Sequence, residues 1–163
     1  MKKIGIISDT HGFIHPKVYD FFKDCDEIWH AGDIGSLEVA YEFKAFKPFI
    51  AVHGNIDDYE TQSEYPEIQR FKAENVDVLI THIGGYPGNY SPKIKEIIMA
   101  KPPLLFISGH SHILKVMNDK KYKLLHINPG AAGMSGFHKF ITMIRLIIDG
   151  RNIKDLEVFE LKR

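Results

Sequence analysis

The feature that most constrains this 163-residue chain is a set of short apolar runs, each stopping close to a glycine, an aspartate or a histidine. Ile4 to Ser8 is followed by Asp9-Thr10-His11, Glu27 to His30 by Gly32-Asp33, and Phe49 to Val52 by Gly54-Asn55-Ile56-Asp57. Val76 to Thr81 runs into His82, and Leu104 to Ser108 runs into Gly109-His110-Ser111-His112. Runs this short and this apolar read as strands covered on both faces. Helical stretches lie between them. His15 to Phe22 tolerates Pro16 in its first turn, Leu37 to Phe46 has Ser36 as N-cap, and Pro92 to Ala100 completes the set. Pro66 to Lys72 reads as an edge strand, and Gly84 to Pro92, with its glycines and prolines, as a loop.

Beyond residue 114 the pattern changes. Lys115 to Asn118, Lys123 to Ile127, Phe140 to Leu146 and Ile153 to Glu160 read as strands joined by tight turns. Asp119-Lys120-Lys121 and Asp149-Gly150-Arg151-Asn152 are hairpin signals. The first two-thirds is therefore predicted to be parallel α/β and the last third antiparallel. The fold class that accommodates both is α/β, with two mixed β-sheets sandwiched between helices and residues 1–163 forming a single domain. Trp29 and the Phe21-Phe22 pair are expected in its core.

Charge and cysteine content narrow the function. Lys plus Arg and Asp plus Glu both number 21. This balance removes the bulk electrostatic argument for a nucleic-acid or anionic-membrane partner. The single cysteine, Cys25, allows neither an internal disulfide nor a cysteine-built zinc site. The apolar run after Met1-Lys2-Lys3 is too short for a secretory signal, and no run is long enough for a membrane span. A cytoplasmic location is expected.

Ligands in open α/β sheets bind beyond the carboxyl ends of the strands. The five strand ends offer Asp9, His11, Asp33, Asn55, His82, His110 and His112, all able to ligate a divalent metal and together enough for two ions. In Asp9-x-His11 and His110-x-His112, residues two apart at an extended strand end would point the same way. Gly32, Gly54 and Gly109 each stand just before a candidate ligand, where a side chain would crowd the site. The two carboxylates bring about −2 against about +4 from two ions, so such a site attracts an anionic phosphate. Two metals roughly 3.5–4 Å apart suit in-line phosphoryl displacement.

These motifs, in this order, resemble the calcineurin-like metallophosphoesterase superfamily, whose pattern is D-x-H, G-D, G-N-H-D/E, H and G-H-x-H. The later Ile127-Asn128-Pro129-Gly130 also looks like the family's small single-domain bacterial and archaeal phosphodiesterases. The resemblance implies that Asp9, His11 and His112 hold one metal, that Asn55, His82 and His110 hold the other, and that Asp33 bridges them. It further implies a hydroxide between the ions as nucleophile, with Asp33, Asn55 and Asp57 as the catalytic set. The implied cofactors are two divalent transition-metal ions, manganese first among manganese, iron, zinc and nickel. The implied partner is a small phosphate ester, with a homo-oligomer as a further family habit. Ile56 departs from the pattern, standing where the family usually has a histidine that contacts phosphate and protonates the leaving group. Losing a general acid typically costs ~10²–10⁴ in rate for poor leaving groups. The resemblance therefore points to phosphodiesters with good leaving groups. Two rival functions remain on the same fold, a protein-interaction scaffold like the eukaryotic retromer subunit and a nuclease.

Other residues carry less. Asp57 fits either a carboxylate that orients a ligand or the cap of a turn. His53 fits either substrate contact or packing, and His30 and His126 read as packed. His138 follows a glycine-rich turn beside the cleft. Tyr86 and Tyr90 fit either stacking on a ring or ordinary loop packing.

Overall fold

The computed structural model describes residues 1–163. In chain order the elements begin with β1 (Lys2–Ile7), α1 (Lys17–Phe22), β2 (Glu27–His30), α2 (Leu37–Phe46) and β3 (Phe49–Ala51). Next come α3 (Tyr59–Glu64), β4 (Ile68–Ala73), β5 (Val76–Thr81), β6 (Gly85–Tyr86), β7 (Asn89–Tyr90) and α4 (Pro92–Ala100). The chain ends with β8 (Leu105–Ile107), β9 (Leu114–Asp119), β10 (Leu124–Pro129), β11 (Phe140–Asp149) and β12 (Asn152–Lys162).

Two five-stranded mixed sheets result, ordered β12-β11-β1-β2-β3 and β4-β5-β8-β10-β9. Each has three parallel strands: β1, β2 and β3 in the first, and β5, β8 and β10 in the second. The antiparallel strands lie outside these triplets. The chain returns to pair β11 with β1, so that Lys2 faces Ile148, while β12 forms the outer edge. Between the pairs Arg145–Glu157 and Ile147–Lys154, one residue of β11, Leu146, faces two of β12, Asp155 and Leu156, a bulge in which Asp155 takes a φ of 53°.

Strand alternation makes four layers from these sheets. Ile4, Ile6, Trp29, Ile144 and Leu146 of the first sheet meet Val78, Ile80, Leu105 and Ile107 of the second in one buried core. On the other face of the first sheet, Ile7, Ile28 and Met143 pack under Val18 and Phe22 of α1 and Val39 and Phe43 of α2. Gly5 faces this layer, where an added Cβ would stand 2.7 Å from the Phe22 ring. Beyond the second sheet, Ile94 and Ile98 of α4 cover Leu79 and Phe106. At about 25 cal/mol per Å² of apolar surface, each fully buried Ile or Leu adds roughly 1.5–3 kcal/mol.

The α/β sandwich expected from the sequence is the fold observed, with several local differences. β4 runs antiparallel to β5, so the parallel region is not continuous through the first two-thirds. Gly84 to Pro92 is not a plain loop, because Gly85-Tyr86 and Asn89-Tyr90 pair across Pro87-Gly88. α3 is an additional helix whose N-cap, Asp58, accepts from the Thr61 N–H at 2.9 Å. α1 begins only at Lys17, with Pro16 as its N-cap.

Candidate metal centre

The ends of β1, β2 and β3 converge with those of β5 and β8, and the polar residues beyond them form one cluster. Asp9, His11 and His112 form a group of donor atoms lying within 4.8 Å of one another, and Asp33, His82 and His110 form another. The groups touch through Asp33, whose Oδ2 is 3.4 Å from His11 Nε2 and 3.2 Å from His82 Nε2. Asp9 Oδ1 lies 3.1 Å from His112 Nε2, 3.7 Å from His11 Nε2 and 3.8 Å from His82 Nε2. Asn55 is exposed at the rim, its Oδ1 3.0 Å from His110 Nδ1. All seven candidate ligands are therefore brought together.

Backbone shape does this, but not as strand alternation predicts. Asp9 (φ 54°), His11 (47°), Asp33 (54°), His110 (71°) and His112 (62°) all adopt left-handed conformations just past their strands. Asp9/His11 and His110/His112 converge through these turns rather than along an extended pleat, because the strands have already ended at Ile7 and Ile107. Each left-handed non-glycine residue costs about 1 kcal/mol or more, and a carboxylate or imidazole is needed there in place of glycine. The preceding glycines are fixed by crowding. A Cβ at Gly54 would overlap Asp33, one at Gly109 would overlap Ser8 Oγ, and one at Gly32 would stand 2.7 Å from His82 Cβ.

A surrounding shell fixes which atoms face inward. His82 Nδ1–H donates to the Ala31 carbonyl at 2.8 Å, turning Nε2 toward Asp33. His138 Nε2–H donates to the Gly133 carbonyl at 2.7 Å, so its Nδ1 can accept from His112 Nδ1–H at 3.2 Å. This chain leaves the lone pair of His112 Nε2 facing Asp9. Asp9 Oδ2 accepts from Ser8 Oγ–H at 2.6 Å and the His110 N–H at 3.1 Å. Asp33 Oδ1 accepts the Ile56 N–H at 3.0 Å. His30, fully buried, accepts from the Gly32 N–H and donates to Thr10 Oγ1, tying down the turn that carries Asp33.

Asp57 does not enter either donor group. It is 4% exposed, and its carboxylate accepts from the N–H groups of Ile34 (3.2 Å), Gly35 (2.8 Å) and Gly54 (2.7 Å). It thereby ties the turn of Asp33 to the turn of Asn55. All three partners are backbone N–H groups and none is a ligand side chain, so of its two sequence readings the geometry matches the capping of turns. His53 donates Nδ1–H to the Tyr65 carbonyl at 2.7 Å while lining a cleft of about 210 Å³ with Asn55 and His82. Tyr90 is packed, with its hydroxyl donating to Asp119 and its ring against Phe106. Isolated histidines carry no periodicity, so the orienting roles of His138 and His30 were hidden in the sequence. The glycine-rich approach to His138 was the one visible signal.

Electrostatics and unmet bonding capacity both fit cations. Burial opposes ionisation of Asp9, yet His11, His112, His82 and the Ser8 hydroxyl hold its carboxyl well below the usual range. Burial likewise works against Asp33, and His82 more than offsets it. His11 is raised by its contact with Asp9, and His82 is raised by the Asp33 and Asp9 carboxylates despite its burial. Three buried atoms of the cluster, Asp9 Oδ1, His11 Nε2 and His82 Nε2, have no hydrogen-bond partner. Buried polar atoms are nearly always satisfied, and these orphans are metal-donor types aimed at common points. The nitrogen-rich set fits divalent transition metals better than calcium or magnesium.

Fold and donors together define an α/β sandwich with a candidate metal centre at the carboxyl ends of its strands. The chain belongs to the calcineurin-like phosphoesterase superfamily, whose domain model matches residues 1–151. It is 30% identical over 162 residues to the "Probable metallophosphoesterase" of Methanothermobacter thermautotrophicus, covering 95% of this chain and 90% of that protein. Among solved structures, a novel archaeal phosphodiesterase superimposes with a TM-score of 0.75 at 24% identity, covering 98% of this chain and 99% of that one. Wild-type Vps29 from Entamoeba histolytica, complexed with Zn²⁺, gives 0.73 at 16% identity, with 98% of each chain covered. These two likenesses are of fold.

Proposed function

We propose that residues 1–163 act as one unit that hydrolyses phosphodiesters with good leaving groups, using two divalent transition-metal ions, manganese foremost. The observation that carries this reading is the pair of donor groups meeting at Asp33, with three buried donor atoms left without partners. Asp9, His11 and His112 would hold one ion, His82, His110 and Asn55 the other, and Asp33 both. When bound, the ions supply Lewis acidity to the phosphoryl group and make water acidic enough to yield a nucleophile near neutral pH. The family membership and the archaeal phosphodiesterase of like fold support the same chemistry.

The chain's own groups do the rest. His82, anchored on Ala31, and His112, anchored through His138, present fixed nitrogen donors without reorganisation. Asp57 positions two ligand-bearing turns without touching the donors. Ile56, 47% exposed, has no proton to give a departing alkoxide. The leaving group must therefore be stable as an anion, which favours aryl esters over alkyl monoesters. No helix is long and apolar enough to cross a membrane, and the balanced charge supports an enzyme acting on small esters rather than nucleic acid.

The test is metal analysis of the purified protein, then assay of aryl and alkyl mono- and diesters with added manganese. Aryl diesters are expected to turn over fastest. Asp33→Asn is expected to lose both bound metal and hydrolysis, and undiminished hydrolysis in that variant overturns the bridging role. Equal rates on aryl and alkyl monoesters overturn the assignment given to Ile56.

A further inference from the structure

Two clefts flank the donor cluster, and they differ in charge. One, already described, includes Glu67 beside His53, Asn55 and His82. The other, of about 360 Å³, lies between the β6–β7 hairpin and the start of β9 and has His110 on its wall. Ile83, Tyr86, Tyr90, Pro92 and Ile113 are among its lining residues. No aspartate or glutamate lines it, and Lys115 is its one lysine or arginine. The Lys115 ammonium sits 3.8 Å above the centre of the Tyr86 ring and forms no ion pair. Neighbouring polar side chains are engaged with one another or the backbone. Asn128 donates to Gly109 O and Ser111 Oγ, and Ser91 donates to Ile83 O.

We infer that this cleft binds one arm of the phosphate ester, a small apolar ring carrying an anionic substituent, and that Lys115 selects the charge. The inference rests on the phosphodiesterase reading and deepens it. A diester has two arms, and the donor cluster has a cleft on either side. An arm entering past His110 meets apolar walls and a half-buried cation that lacks an anion. A neutral arm would fill the walls and leave the ammonium with only the Tyr86 face. A carboxylate or second phosphate on the ring would complete the pair.

The experiment uses the manganese-loaded protein and two esters with the same leaving group, 4-nitrophenyl phenyl phosphate and 4-nitrophenyl 4-carboxyphenyl phosphate. The carboxylated ester is expected to be favoured about two- to fivefold in kcat/KM, the range of a partly exposed ion pair. Lys115→Met is expected to bring that ratio to about one, and Lys115→Arg to preserve it. Tyr86→Leu, which removes the ring but not the ammonium, is expected to keep the preference, separating charge recognition from a role in holding the hairpin. A ratio near one in the native protein, or a preference surviving in Lys115→Met, overturns the inference. If neither ester is hydrolysed, the phosphodiesterase reading fails, and calorimetric titration of the same pair then reads the cleft. Tighter binding of the carboxylated ester, lost in Lys115→Met, supports it, while equal or undetectable binding of both overturns it.

Discussion

Removing the Asp57 carboxylate should cost more stability than removing most single polar groups from this chain. Three backbone N–H groups converge on it, from Ile34, Gly35 and Gly54, at 3.2, 2.8 and 2.7 Å. Hydrogen bonds to a charged acceptor contribute about 1.5–3 kcal/mol each. At the lower end the three amount to about 4–5 kcal/mol, and water entering the vacated space in Asp57→Ala returns part of that. We expect a net loss of about 3 kcal/mol. With a urea slope of about 2 kcal/mol per molar, the unfolding midpoint should fall by roughly 1.5 M. Asp57→Asn keeps one acceptor but turns an amide N–H toward the remaining donors, and should fall between the two. Because the carboxylate joins the turns of Asp33 and Asn55, manganese affinity in a calorimetric titration should drop alongside stability. A midpoint change below roughly 0.3 M, or unaltered affinity in a destabilised variant, would refute this reasoning.

Two further outcomes follow from the histidines. His138→Ala should weaken manganese binding by about 10–100-fold, the usual effect of losing a group that orients a ligand, and calorimetry showing native affinity would remove His138 from that role. His126 is buried against the Phe106 carbonyl, and burial pushes its imidazole down to about 4 from an ordinary 6.5. The unfolded chain therefore takes up a proton that the folded protein refuses. Stability from this group is present above about pH 6.5 and is lost as pH falls toward 4, by up to roughly 3 kcal/mol. In urea titrations between pH 7 and pH 4.5, His126→Leu should show a shallower decline than the native protein, and parallel declines would contradict the assignment.

How far the sequence disclosed this molecule depended on how local each determinant is. The strand ends were legible because apolar runs stop abruptly at Asp9, Asp33 and His82. Ser36 and Pro92 marked helix starts by ordinary capping chemistry. α3 was hidden because Tyr59-Glu60-Thr61-Gln62-Ser63-Glu64 has no apolar stripe. The pairing of β11 with β1 joins residues such as Lys2 and Ile148 from opposite ends of the chain, which no local pattern encodes. At the site, residue types at strand ends named the donors. The left-handed turns that aim them, and the carbonyls and imidazoles that fix their tautomers, belong to the assembled loops.

The donor cluster draws on both sheets at once. Asp9, His11 and Asp33 follow strands of one, while His82, His110 and His112 follow strands of the other. Their spacing is inherited from the interlocked isoleucines and valines that keep the two sheets from sliding past each other. A slip of an ångström along that seam would open the bite of the chelate without altering any coordinating side chain. The deep interior thus acts as the caliper that sets the centre's dimensions.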